Sequence, residues 1–125
     1  MIAGIGTDIV AVSRLRKLYE RYGERALARI LAVAERADFE RAADPGRFLA
    51  KRFAAKEAFG KALGIGVAAP ATLTSLAVVH DAQGKPGFEY APALAAHLIE
   101  RALVAHLSIS DEQDYALAFV VMERI

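Results

Sequence analysis

The sequence predicts an α+β fold: a small single domain in which an antiparallel sheet packs against helices, one of them long and central. Three observations carry this. An Ile/Val-rich strand opens the chain, helical apolar spacing fills the rest of the first half, and β-branched runs bounded by turn residues fill the second. At 125 residues, length argues for one domain over 1–125. Surface scaling gives about 6,500 Å² folded against about 19,000 Å² unfolded, enough burial for a core without staples.

Ile2 to Val12 reads as a strand interrupted by Gly4, Gly6 and Asp8. Ser13 is the expected N-cap of a helix in which Leu15, Leu18, Tyr19 and Tyr22 recur at helical spacing, with Gly23 ending it. Glu24 to Val33 and Glu35 to Ala43 are two further Ala-rich helical pieces. Asp44-Pro45-Gly46 is a turn, and Pro45 starts the longest helix, running to Leu63 and closed by Gly64 and Gly66. A loop at Ala68-Ala69-Pro70 leads to a strand over Leu73 to Asp81. The turn Asp81 to Pro86 leads into a short strand ending near Tyr90. Pro92 opens a helix running to about Val104, and Ala105 to Ile109 and Tyr115 to Met122 form a terminal hairpin around the polar 110–114.

Composition excludes several classes. Without cysteine there is no disulfide framework, Cys-ligated zinc, iron–sulfur site or thiol nucleophile. Sixteen basic and 15 acidic residues leave a charge of +1, so neither nucleic acid nor a membrane is expected as partner. The apolar fraction of 55% is swollen by 27 alanines, and no run approaches the ~20 residues of a membrane span. Met1 to Val12 lacks the basic start and length of a secretory signal. A soluble, cytoplasmic protein is expected.

Two carboxylates stand out. Asp8 lies in an otherwise apolar strand, where a charge must be paired, bound to metal or exposed at a bend. The glycines beside it could let a ligand approach the backbone, although they lack the third Gly of a dinucleotide fingerprint. No GxxxxGK phosphate loop occurs. On the long helix, Phe48, Ala55, Phe59 and Leu63 fall on one stripe, the expected core face. Glu57 and Lys61 share another face with Ala50 and Ala54, small enough for a bulky ligand to lie against. Each has a plain alternative: Asp8 as a strand-end polar group, and Glu57–Lys61 as a surface pair worth about 0.3–0.5 kcal/mol.

His80, His97 and His106 show no zinc-ligand spacing. His106, Ser108 and Ser110 would share a strand face, but no nucleophile elbow supports a hydrolase. Arg14, Lys17, Arg21 and Arg25 fall near one helical face, opposite Leu15, Leu18 and Tyr22. Such a stripe is either a solvated face or a dock for an acidic partner.

Gly4-Ile-Gly-Thr-Asp8-Ile-Val, followed by Arg47-Phe-Leu-Ala-Lys-Arg-Phe-Ala-Ala-Lys56-Glu57-Ala-Phe-Gly-Lys61-Ala-Leu-Gly64, resembles the holo-acyl-carrier-protein synthases. These are the small bacterial 4′-phosphopantetheinyl transferases. Gly84-Lys85-Pro86 and His106-Leu-Ser-Ile-Ser110-Asp-Glu-Gln-Asp-Tyr115-Ala continue the match in order across essentially the whole chain. One departure is Asp111, where many relatives place a His.

The resemblance implies transfer of the phosphopantetheine arm of coenzyme A to a serine of apo acyl carrier protein. Adenosine 3′,5′-bisphosphate is released, and the reaction serves fatty acid biosynthesis. It implies that Asp8 and Glu57 hold Mg²⁺ and that Lys61 adds a cation at the phosphates, these three being the catalytic residues. Hard oxygen ligands, phosphate and water suit that ion. Arg47, Lys61, Gly84, Lys85, Pro86 and His106 are implied to contact coenzyme A. Glu57, a metal-bound water and His106 stay open as general base. Arg14, Lys17, Arg21 and Arg25 become the dock for the acidic carrier protein, and a homotrimer with active sites at subunit interfaces is expected. Two rivals differ in class: a non-catalytic coenzyme A- or nucleotide-binding oligomeric module, and a scaffold subunit that binds an acidic protein.

Overall fold

The computed structural model describes residues 1–125. Strand β1 (Ile2–Ala11) runs directly into α1 (Val12–Tyr22), followed by α2 (Glu24–Ile30), a 3-10 turn (Val33–Glu35) and α3 (Arg36–Glu40). The long helix α4 (Pro45–Leu63) leads through a second 3-10 turn (Leu73–Ser75) to β2 (Leu76–His80) and β3 (Pro86–Tyr90). Helix α5 (Pro92–Glu100), β4 (Leu103–Asp111) and β5 (Tyr115–Arg124) complete the chain. The α+β class and the antiparallel sheet are as the sequence predicts.

The strands form two antiparallel sheets, β1-β5-β4 and the hairpin β2-β3. The register of the larger sheet places Ile5 opposite Val121, Thr7 opposite Phe119 and Asp8 opposite Ala118. Alternation along β5 buries Ala116, Ala118, Val120 and Met122 against α4 and turns Tyr115, Leu117 and Phe119 outward. The outward face is apolar and uncovered: Ile5 and Ile9 are each 61% exposed.

Helix α4 is built by local signals. The Asp44 side chain accepts from Arg47 N at 3.2 Å, Pro45 occupies the first turn, and Gly64 closes the helix at φ +89°. That backbone bond, and then the Arg16 guanidinium, hold the Asp44 carboxyl below its usual range. The helix lies very close to β1. A Cβ on Gly6 would run into the Ala58 carbonyl oxygen, and one on Gly4 into that of Ala62. The glycines therefore admit the helix backbone, where the sequence suggested approach by a ligand. The small face is likewise occupied from within the chain, since Ala50 and Ala54 are fully buried in the core. Phe48 and Leu63, expected at the core, are only half-buried.

The two Ala-rich helical pieces are shorter than expected, Glu24–Ile30 and Arg36–Glu40, with a 3-10 turn at Val33–Glu35 between them, and three further boundaries differ for identifiable reasons. Ser13 is not a cap: α1 begins at Val12 after Ala11, and the Val12 N–H is satisfied by Asp114 O at 2.9 Å. The junction needs no side-chain acceptor. The strand expected from Leu73 starts at Leu76, after a 3-10 turn. Helix α5 stops at Glu100 because Ala102 turns left-handed at φ +55° and Leu103 already pairs with Arg124. Non-local pairing overrides helical spacing there.

Candidate active site

Strand β1 lies at the edge of its sheet, and its alternation sends Gly6, Asp8 and Val10 toward α4. Asp8 thus meets the long helix with its side chain 17% exposed. Lys61 Nζ donates to Asp8 Oδ1 at 3.2 Å and to the Thr7 carbonyl at 2.9 Å. One turn earlier on α4 stands Glu57, half-buried and without a hydrogen bond of its own. Partial burial pushes its carboxyl pKa up, and the Asp8 charge pushes it further, against the opposing pull of Lys61 and Arg14. Two carboxylates and one ammonium therefore meet at the open sheet edge, and the acids repel each other. No third His, Asp or Glu joins them as a metal-binding group.

Arg14 is closer to this site than its place in a surface stripe suggested. Its guanidinium lies 5.3 Å from the centre of the Phe53 ring, and its charge reaches Glu57. Lys17 and Arg21 are exposed on α1, but Gly23 (φ +53°) ends that helix and puts Arg25 on α2. Arg21 and Arg25 still flank one ring, 5.4 and 5.7 Å from the centre of Tyr22. The apolar side of α1 is also not all core. Val12 and Leu15 are buried, while Leu18 and Tyr22 open onto a cavity of about 480 Å³ with Ile30, Phe53 and Leu73, rimmed by Arg25. Helical periodicity groups Leu18 and Tyr22 with Leu15 and does not tell a core from a groove.

The remaining expected ligand-binding residues stand elsewhere in the single chain. Arg47 Nη1 reaches Asp111 Oδ2 at 3.1 Å and the Glu112 carbonyl, and Nη2 reaches the Gln113 carbonyl at 3.3 Å. It is tied to the β4–β5 turn, about 15 Å along α4 from Glu57. Asp111 also pairs with Lys51 at 3.8 Å, so the departure from His at this position makes an ion cluster. Gly84 and Lys85 lie in the β2–β3 turn, in which Asp81 Oδ1 accepts from Lys85 N at 2.9 Å, and Pro86 opens β3 opposite His80. His106 projects from the outward sheet face, opposite to Asp8, with Nε2 2.9 Å from Glu123 Oε1. Within one chain, then, Asp8, Glu57 and Lys61 converge, whereas Arg47, Gly84 to Pro86 and His106 do not join them.

A second charge cluster had no sequence signal. Glu35, Arg52 and Lys56 are all buried, yet Arg52 and Lys56 follow the i,i+4 spacing of an ordinary solvated helix face.

Comparison with known proteins places this arrangement. A family model described as the 4′-phosphopantetheinyl transferase superfamily matches residues 4–120. A holo-[acyl-carrier-protein] synthase of Dechloromonas aromatica is 62% identical over 98% of each chain. One of Aromatoleum aromaticum is 60% identical over 99% of each. Among solved structures, holo-[acyl-carrier-protein] synthase from Neisseria meningitidis superposes with a TM-score of 0.95 at 48% identity, covering 98% of this chain and 99% of that one. The enzyme from Bacillus anthracis in complex with CoA (3′,5′-ADP) gives 0.84 at 33% identity, over 100% and 99%.

Proposed function

The chain belongs to the 4′-phosphopantetheinyl transferase superfamily, and from that premise we propose how its residues carry the reaction. It is an enzyme that transfers the 4′-phosphopantetheine arm of coenzyme A to a serine of apo acyl carrier protein. The products are holo acyl carrier protein and adenosine 3′,5′-bisphosphate, and the modification serves lipid metabolism. The whole chain acts as one transferase domain. No helix is long and apolar enough to cross a membrane, and we assign the enzyme to the cytoplasm, with coenzyme A and the carrier protein as its partners.

The observation that carries the site assignment is the meeting of Asp8, Glu57 and Lys61 at the sheet edge. The donor set fits Mg²⁺: two carboxylate oxygens, a mutual repulsion that a divalent cation relieves, and open space for water and diphosphate. Bound there, the ion would neutralise charge on the coenzyme A diphosphate. Asp8 and Glu57 would hold it from two elements that glycine contact locks together. Lys61, already anchored on Thr7 O, stands ready to pair with a phosphate oxygen as charge moves to the leaving group. As the carrier serine oxygen bonds to the β-phosphorus, the bond from that phosphorus to the bridging oxygen breaks, adenosine 3′,5′-bisphosphate leaves with that oxygen, and the serine proton passes to water. The groove between α1 and α2, apolar within and basic at the rim, docks an acidic helix through Arg14, Lys17, Arg21 and Arg25.

Arg47, Lys85 and His106 stand on separate elements apart from Asp8, Glu57 and Lys61, and we propose that neighbouring copies bring them to coenzyme A sites. Two further observations support assembly. The outward face of β1-β5-β4 is apolar, and the accessible surface of 7133 Å² exceeds the about 6,500 Å² typical of a compact monomer of this mass. We therefore propose a homotrimer whose interfaces complete the sites.

Intact mass of an apo carrier protein incubated with this enzyme, coenzyme A and Mg²⁺ tests the reaction. A gain of one phosphopantetheine is expected. Ligand binding without transfer would leave a non-catalytic module, and carrier binding that survives loss of Asp8 and Glu57 would leave a scaffold. Light scattering under the same conditions tests the trimer, which a fully active monomer would overturn.

A further inference from the structure

The buried cluster on the other side of α4 bears on the same site. Glu35 Oε1 accepts from Ala32 N at 2.9 Å and from Lys56 Nζ at 2.5 Å. Its Oε2 accepts from Val78 N at 3.0 Å, from Arg52 Nη1 at 3.1 Å, and from no solvent. Lys56 spends its other two protons on the carbonyls of Ile30 and Leu73, both at 2.8 Å. The network is closed, and no buried side-chain polar atom lacks a partner. Arg52 also meets a second anion, its Nη2 lying 3.7 Å from Asp38 Oδ2, so two cations face two carboxylates, of which Asp38 is the more exposed. Arg52 divides its charge between Glu35 and Asp38, whereas Lys56 has Glu35 alone as its anion. Electrostatic stability alone gives no reason for it, since apolar replacements of buried ions are often neutral or stabilising.

What Lys56 does uniquely is tie α4 to α2 and to the turn before β2. It is followed at once by Glu57, and then by Ala58, whose carbonyl abuts Gly6. Glu57 thus sits between two residues fixed on different sides of the helix. We propose that Lys56, held by Glu35, is a positioning residue that sets the rotation of α4 so that Glu57 faces Asp8 and Lys61. This rests on the metal-site reading above.

The test is K56M in the full chain, which leaves the Arg52–Glu35 pair intact. Its thermal midpoint, its affinity for Mn²⁺ alone (free ion by electron paramagnetic resonance) and its transfer kinetics are measured against wild type. The midpoint should fall, because Glu35 Oε1 and the Ile30 and Leu73 carbonyls each lose a donor. Mn²⁺ affinity should fall about tenfold or more, as for loss of a group that orients a metal ligand, and kcat should fall with it while carrier KM stays within twofold. L98A, a core truncation on α5, controls for stability and should lower the midpoint without changing Mn²⁺ affinity. K56M with wild-type Mn²⁺ affinity and kcat overturns the proposal. Should K56M fail to fold, K56Q, which keeps two donors, is held to the same criteria. A wild type that transfers phosphopantetheine but binds no Mn²⁺ defeats the metal reading itself, and this inference with it.

Discussion

Two acid–lysine pairs lie on opposite sides of one helix and differ in almost every respect. Glu35 and Lys56 are sealed in the core with every donor and acceptor matched. Asp8 and Lys61 meet at a sheet edge beside Glu57, which has no hydrogen bond and an upward-shifted pKa. A charge whose bonding capacity is exhausted within the chain has nothing left to offer a ligand. A charge held in place but incompletely matched has. The contrast, more than the presence of carboxylates, distinguishes a structural cluster from a site.

The largest expected effect tests the sealed side. Glu35→Gln keeps the shape but leaves buried Lys56 without an anion and Arg52 with only the more exposed Asp38. Breaking such a network should cost about 3–5 kcal/mol of stability, measured by urea unfolding. A variant as stable as wild type would mean that the core cluster is less closed than its geometry. On the open side the loss should be of rate instead. Asp8→Asn and Glu57→Gln should fold normally, while transfer falls about 10²–10³-fold, the range for losing one electrostatic group at a reacting centre. Carrier mass after fixed times measures it. Wild-type rates at limiting Mg²⁺ would remove both residues from the site.

The same contrast explains what could be foreseen. Helix α4 was legible to the residue because its signals are local: Asp44 and Pro45 at one end, Gly64 at the other. Asp8, Glu57 and Lys61 were legible because a charge in an apolar strand and a family pattern both mark them. Glu35, Arg52 and Lys56 were not, since burial of charge depends on what packs over it, which no periodicity encodes. Leu18 and Tyr22 are the reverse case, apolar residues at helical spacing that face a groove.

Smaller effects divide the basic helix. Lys17→Glu with Arg21→Glu should raise carrier-protein KM several-fold and leave kcat nearly unchanged, an effect that salt should mimic in wild type. Arg14→Glu should lower kcat as well, because its charge bears on Glu57. Equal behaviour of the two variants would place Arg14 back among purely surface charges. At the start of α4, Asp44→Ala should cost about 1 kcal/mol, as for other N-caps. Asp44 has a lowered pKa, so its contribution is present above the ordinary carboxyl range and lost as pH falls through the lowered value. Acid titration of the thermal midpoint should show the variant and wild type converging.

The smallest effect is the most specific to the open side. Partial burial, then the Asp8 charge, raise the Glu57 pKa from the ordinary 4.5. The folded protein therefore holds this proton more tightly than the unfolded chain. The stability it contributes is complete below the ordinary carboxyl range and is lost as pH rises through the raised value. Glu57→Gln carries no charge at any pH and escapes that loss. In chelator, the variant should match wild type at pH 3 and melt slightly higher at pH 7, a difference kept small by solvent around a half-exposed group. Saturating Mg²⁺ should reverse the order at pH 7, because an ion bound only by the folded state raises its midpoint, and the variant has lost a ligand for it. Scanning calorimetry at both pH values, with and without Mg²⁺, reads all four conditions. If the ion shifts both proteins equally, Glu57 does not hold it, and the repulsion at the sheet edge needs another explanation.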